Sequence, residues 1–228
     1  MKKRISIAFF IEIIFSLFSC KPQKNKLPKG FVYVEKYIPD LIVDLRYFSS
    51  NNFTGRPVEG YESSVLILSY KATLALKNVQ EQLKNKGLGL KVFDAYRPQR
   101  AVNSFEVWSK KSEDVIAKKE FYPNVNKRDV FALNYLALKS GHTRGSTIDL
   151  TLVNLKTGQE LDRGSPFDFF GSISYYDTLQ INALQKNNRK ILKEVMLDNH
   201  FKEYPEEWWH FTLIDEPFPE TYFDFPIK

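Results

Sequence analysis

The sequence predicts a single α+β domain built on a mixed or antiparallel sheet flanked by helices. Short strand-like runs and helix-spaced segments are intermingled along the chain, with no regular βαβ alternation. No shift of composition, internal repeat or low-complexity tract marks a domain boundary. The length, 228 residues, suits one domain. A chain of this size buries roughly 70% of its unfolded surface and needs neither disulfide nor metal merely to fold.

The elements follow in order. Val32 to Leu45 carries short apolar runs broken by Pro39 and predicts one or two strands. Asn51 to Pro57 is turn chemistry. From Val65 to Lys86 the residues Ile67, Tyr70, Leu74, Leu76, Val79 and Leu83 recur at helical spacing, with Gly87 as the stop. Leu88 to Phe93 alternates as a strand, and Pro98 opens a second helix through about Lys111. Glu120 to Asp129 reads as a polar loop around Pro123. Ser146 to Val153 is a β-branched strand, followed by a loop with Gly158 and Gly164. Asp177 to His200 predicts a long helix carrying Leu179, Leu184, Ile191, Leu192, Val195 and Met196. Trp208 to Ile214 is the last strand, before a tail rich in Pro and Phe.

Composition removes whole classes of function. Apolar residues make up 43% and charged residues 26%, which excludes a disordered or collagen-like chain. The 19 Phe and 12 Tyr point to a well-filled core or an aromatic-lined pocket. The net charge of +6 is spread through mixed-sign stretches such as Glu81-Gln82-Leu83-Lys84, so no nucleic-acid partner is expected.

The first residues are read as lying outside the fold. Met1-Lys2-Lys3-Arg4 is basic, Ile5 to Phe18 is apolar apart from Glu12 and two serines, and Leu17-Phe18-Ser19-Cys20 follows. This is the build of a secretory signal peptide, too short for a transmembrane helix of about 20 residues. Cys20 is the only cysteine, and Leu-x-Ser-Cys resembles the lipobox of bacterial lipoproteins. The expected organisation is a signal peptide over 1–19, a lipidated Cys20 heading a tether over 20–30, and a catalytic domain over 31–228. The expected location is exported and membrane-anchored, on the periplasmic or cell-envelope side.

Chemistry concentrates in three places. His142 lies in a loop, and Asp149 sits in the strand after it, on the face opposite Ile148, Leu150 and Leu152. An acid inside a hydrophobic strand needs a cation, a metal or a cleft; a hydrogen-bonded aspartate at a strand end is the other reading. Glu206-Glu207-Trp208-Trp209-His210-Phe211 is the second place. Three positions is an odd interval on a strand, so Glu207 and His210 share a site only if Glu207 lies in an irregular approach after Pro205. The alternative is an aromatic core strand with a solvated acidic start. Two histidines and an aspartate would suit a three-ligand zinc site with an open position. Asp94-Ala95-Tyr96-Arg97-Pro98 is the third, where a corner-held Arg97 could meet a carbonyl oxygen gaining charge. His200, at the end of the long helix, reads as structural.

Ser140-x-His142-x-x-Gly145-x-x-x-Asp149 together with Glu207-Trp208-Trp209-His210 resembles the zinc D-alanyl-D-alanine dipeptidases, relatives of the zinc D,D-carboxypeptidases. Asp44-Leu45-Arg46-Tyr47, Asn52-Phe53-Thr54-Gly55, Tyr96-Arg97-Pro98-x-Arg100-Ala101-Val102-Asn103 and Tyr222-Phe223-Asp224-Phe225-Pro226 extend the likeness to nearly the whole chain from Val34. The resemblance implies the zinc D,D-peptidase (hedgehog-like) fold, with one zinc held by His142, Asp149 and His210. It also implies Glu207 as catalytic base, Arg97 as transition-state arginine, and Tyr47, Ser140 and Asp168 near the substrate. The implied activity is hydrolysis of the dipeptide D-Ala-D-Ala in cell-wall peptide turnover. Two alternatives stand beside it: a D,D- or L,D-carboxypeptidase acting on longer stem peptides, and a zinc-dependent binding lipoprotein without catalysis.

Overall fold

Residues 147–154 alternate Thr147, Asp149 and Thr151 against Ile148, Leu150 and Leu152, and that alternation organises the protein. In the computed structural model, which describes residues 27–112 and 115–228, they form the central strand of a five-stranded sheet. The predicted signal peptide, Cys20 and most of the tether lie outside the described residues. In chain order the regular elements are β1 (Phe31–Tyr33), β2 (Ile42–Val43), β3 (Ile67–Ser69), α1 (Tyr70–Lys84), β4 (Leu88–Asp94) and α2 (Gln99–Ser109). Then come α3 (Val115–Phe121), β5 (Thr147–Asn154), α4 (Ala183–Asp198), β6 (Phe201–Tyr204) and β7 (Glu207–Leu213). The sheet runs β2-β4-β5-β7-β6, with β2 parallel to β4 and every other neighbour antiparallel; β1 and β3 form a separate ribbon.

The apolar row of β5 faces α1 and α4. Ile148, Leu150 and Leu152 join Leu90 and Val92 of β4, Leu76, Val79 and Leu83 of α1, and Leu192, Val195 and Met196 of α4 in one buried cluster. The opposite face carries Thr147, Asp149 and Thr151, and the site is built there. A second, aromatic cluster gathers Phe53, Phe105, Trp108, Tyr122 and Phe170 beside α2 and α3. Phe31 packs edge-on or stacked against Phe218, Phe223 and Phe225, tying the start of the domain to its tail.

Four expectations are corrected. The helix expected from Val65 starts at Tyr70, because Ile67 to Ser69 pair with β1 and Ser69 then caps the helix by accepting from Ala72 N. Helix α3 runs into the expected 120–129 loop, and Phe121, Tyr122 and Val125 are buried there. The long helix starts at Ala183 instead of Asp177, since Asn182 and Gln185 form a reciprocal capping box; Leu179 is left 94% exposed. The last strand starts at Glu207, one residue early, and is preceded by β6, a strand the sequence does not predict between the helix end at His200 and Trp208.

Gly145, between the turn bearing His142 and β5, has φ +82°, and a Cβ there would run into the Phe31 ring. Gly158 has φ +71° with nothing within 4 Å of such a Cβ. Gly158→Ala should therefore cost only the left-handed strain of about 1–2 kcal/mol. Gly145→Ala should add an overpacking cost of about 1–3 kcal/mol, read as a lower urea midpoint at unchanged slope. Equal losses at the two positions would show that the Phe31 contact contributes nothing.

Candidate active site

The site is assembled by two breaks in strand register. On β4, Val92 lies opposite Leu150 but Asp94 lies opposite Asp149, so one extra residue is accommodated between them. Without that bulge Asp94 would share the core face with Val92; with it, Asp94 stands beside Asp149 on the other. On β7, His210 lies opposite Asp149. Toward the β6 side, Glu203 faces Phe211 but Tyr204 faces Glu207, so β7 advances four residues for one on β6. The odd extra length turns Glu207 to the same side as His210, whose Nδ1 it reaches at 3.3 Å through Oε2. The irregularity expected near Glu207 is present, though within the strand instead of ahead of it.

His142 comes from a 3₁₀ turn, Gly141–Arg144, capped by the Ser140 hydroxyl, which accepts from His142 N at 3.3 Å. Its Nδ1 lies 2.7 Å from Ala95 O. A carbonyl only accepts, so Nδ1 carries the proton and Nε2 presents a lone pair to the site. His142 Nε2 lies 3.2 Å from Asp149 Oδ2 and 3.3 Å from His210 Nδ1, which in turn lies 3.1 Å from Asp149 Oδ1. Asp149 Oδ1 is buried and makes no hydrogen bond of acceptable geometry. Burial favours the neutral form of Asp149, but His142 and His210 together, by charge and by hydrogen bonding, outweigh it and hold the carboxyl well below the usual range. Burial likewise disfavours charge on His210, yet Asp149 and Glu207 push its pKa up to about 9.

These three donors fit a metal. Ligand bonds of about 2.0–2.1 Å in a tetrahedron put neighbouring donor atoms about 3.3 Å apart. The observed spacings match, an oxygen without a hydrogen bond points inward, and two imidazoles with one carboxylate are a donor set suited to zinc.

Arg97 is set beside them by Asp94. The guanidinium donates through Nε to Asp94 Oδ2 at 2.9 Å and pairs through Nη2 at 2.8 Å, leaving Nη2 3.7 Å from Asp149 Oδ2. It lies over the Tyr47 ring at 4.9 Å and the Phe105 ring at 5.4 Å. Asp94 is fully buried, accepts from the Tyr61 hydroxyl at 2.7 Å and lies 3.5 Å from His142 Nδ1. Asp94 and Tyr61 were missed from sequence. The signal was available, since Asp94 closes an apolar strand as Asp149 interrupts one.

A cavity of about 210 Å³ opens over the donors, walled among others by Tyr47, Arg97, Ser140, Asp168, Tyr204 and Glu207. Every predicted site residue of the domain is therefore brought together. Ser140 acts locally as the cap of the His142 turn. The Tyr47 hydroxyl donates to Asp168 Oδ2 at 2.8 Å. Asp168 is buried, held at φ +61°, and its pKa is raised well above the carboxylate norm by burial and then by Asp149. His200 is exposed past the end of α4 and takes no part.

A mixed sheet with one metal-ligand triad, an adjacent glutamate and a buried arginine over a small cavity defines a single-metal hydrolase. Residues 28–228 match the family Peptidase_M15, described as D-ala-D-ala dipeptidase. The chain belongs to this family. It is 39% identical over 199 residues to a D-alanyl-D-alanine dipeptidase of Enterococcus faecium, covering 87% of this chain and 98% of that one. It is 40% identical over 197 residues to a D-alanyl-D-alanine dipeptidase of Streptomyces coelicolor, covering 86% and 98%. A third, from Enterococcus faecalis, is 39% identical over 202 residues, covering 89% and 100%.

The geometry separates metal holding from what surrounds it. His142→Ala, Asp149→Ala and His210→Ala should each lose bound zinc on elemental analysis, while His200→Ala keeps it. Chelation of the wild type should lower its melting temperature, and zinc should restore it, because a ligand of the native state adds RT ln(1 + [L]/Kd) to stability. Full zinc content in any of the three triad variants would remove that residue from the site.

Proposed function

We propose that the protein hydrolyses the dipeptide D-alanyl-D-alanine to two D-alanines, with zinc held by His142, Asp149 and His210. The observation that carries the reading is the placement of Glu207 and Arg97 on either side of that triad, over a cavity of about 210 Å³. That volume is below the roughly 300–1,000 Å³ of sites for drug-sized ligands and suits a dipeptide better than a stem peptide. The family membership and the names of the relatives support the same substrate.

When bound there, zinc supplies Lewis acidity, polarising a carbonyl and acidifying water. The protein supplies the rest. Glu207 is a base next to the donors but outside them, so its carboxylate takes a proton from the attacking water and returns it to the departing amine nitrogen. Arg97, fixed by Asp94 and backed by aromatic rings, offers its remaining N–H groups to the carbonyl oxygen as that oxygen gains negative charge. Asp168 places a carboxylate in the cavity, and an ammonium brought beside it would favour its ionised form. Tyr47 fixes the direction of that carboxylate.

Glu207→Ala should keep its zinc and lose at least about 10²–10⁴-fold in turnover, the range of general acid–base catalysis. Arg97→Ala should lower kcat by about 10²–10³ with a smaller change in KM, since the interaction strengthens in the transition state. Kinetics on D-Ala-D-Ala, L-Ala-L-Ala and a stem pentapeptide decide the substrate class. Preference for the pentapeptide would replace the dipeptidase reading with a carboxypeptidase.

We further propose that the protein is exported and anchored in the bacterial envelope through lipid on Cys20. The support is the basic start, the short apolar run, the Leu-x-Ser-Cys ending and the position of this segment ahead of the family match, which begins at residue 28. An envelope location favours wall recycling or D-alanine nutrition over depletion of a cytoplasmic dipeptide pool. Cys20→Ser should release the protein from the membrane fraction or accumulate as uncleaved precursor. Unchanged mobility and location would sink the lipid anchor.

A further inference from the structure

Arg189 lies on α4, on the helical side of the sheet and away from the triad, yet it is only 1% exposed. Among the described residues it has no carboxylate partner. Its donors go instead to one loop: Nε to Arg163 O at 2.7 Å, Nη1 to Tyr175 O at 2.8 Å, and Nη2 to Ile173 O at 2.9 Å and Ser165 Oγ at 3.4 Å. Arg163 and Ser165 begin that loop, and Ile173 and Tyr175 end it. One planar fork therefore holds both feet of the segment 163–175, a geometry that the single ammonium of a lysine cannot reproduce. A second link crosses the feet, the Ser165 and Ser174 hydroxyls lying 3.3 Å apart, and Ser174 also donates to Phe169 O beside the tip at 2.7 Å.

At the tip of the segment stands Asp168, in the left-handed region at φ +61°. A non-glycine residue persists there only when its surroundings over-determine it. Phe167 stacks on Phe93 at 4.8 Å, Tyr47 fixes the Asp168 carboxyl, and the closed feet set the height of the tip. Burying an arginine against carbonyls with no carboxylate paired to it is costly, and its pKa is pushed down to about 10 by burial and then by Arg163, with Asp162 offsetting only part of this. A loop that needed only to cover the core could be held by apolar contacts. The fixed feet are needed where the tip must present a carboxylate to a ligand within a fraction of an ångström.

We infer that Arg189 is a positioning residue for substrate affinity, acting through the 163–175 loop on Asp168. The inference rests on reading Asp168 as a substrate contact. Trp208 offers a competing route: its Nε1 donates to Ser165 Oγ at 2.9 Å, the Arg189 guanidinium lies 5.8 Å from its ring, and Glu207 is its neighbour in sequence. An effect carried that way would appear in turnover instead of affinity.

The test uses the full chain with zinc bound and D-Ala-D-Ala as substrate. Arg189→Gln should raise KM about tenfold, with kcat within about threefold and zinc content unchanged. Arg189→Lys, which keeps the charge but not the fork, should fall between and serves if the glutamine variant does not fold. In an Asp168→Asn background, itself raised in KM, Arg189→Gln should add nothing further, as two steps of one path do not sum. Additive KM effects, a fall in kcat at unchanged KM, or a lower melting temperature with unchanged kinetics would each overturn the inference. Amide hydrogen exchange reads the staple without substrate: faster exchange confined to 163–175 in Arg189→Gln supports it, and a uniform increase overturns it. Absence of D-Ala-D-Ala cleavage by the wild type would instead overturn the function reading, while the exchange measurement still tests the staple.

Discussion

A carboxylate buried at the centre of a sheet is the constraint from which the rest of the site follows. Asp149 is 2% exposed and flanked by strands on both sides. Stripping an ion of water costs several kcal/mol even after relaxation, so a chain that keeps one there must surround it with positive charge or with groups that hold a metal. The fold does this from three directions, with His142 from a capped turn, His210 from the neighbouring strand and Arg97 from the corner after β4. Packed together in this way, the same groups form a ready set of metal donors with an arginine beside it.

The two faces of the sheet divide the labour. One is a continuous apolar layer against α1 and α4, insensitive to what happens opposite. The other holds the charges, and there the ordinary period of the strands is broken twice, at Asp94 and at Glu207. Both breaks put an acid on the face that regular alternation would deny it. Asp94 orients Arg97; Glu207 stands by the triad. Positioning is thus stored in backbone register, which is stiffer than a side-chain rotamer.

How much of this was legible can be argued residue by residue. The alternation of Ile148, Leu150 and Leu152 around Asp149 announced a buried strand with one misplaced charge, and that reading holds. The odd interval from Glu207 to His210 announced an irregularity but not its location, because a bulge has no composition signature. Tyr47, Ser140 and Asp168 come only from resemblance; Tyr47 and Asp168 meet through a contact more than a hundred residues apart in sequence, which no local pattern encodes. Strand β6 was hidden by its shortness and by following α4 directly, and α3 by the polar residues around it. Leu179 keeps the helical period at an exposed position ahead of Asn182, so periodicity overextends α4. Asp94 is legible in principle, as an acid closing an apolar strand, but its place beside Asp149 depends on the bulge in β4, which composition does not show.

The break in β7 makes the spacing between two residues a determinant of what the protein is. The strand rejoins β6 at Phe211, and the two residues between Glu207 and His210, Trp208 and Trp209, are both buried in the core. A single-residue deletion there would reverse the parity and turn the glutamate away, and it would also take a tryptophan out of the core. In this architecture the length of chain between base and metal ligand is fixed by the core as much as by the site, so the identities of the site residues alone do not specify where the base stands.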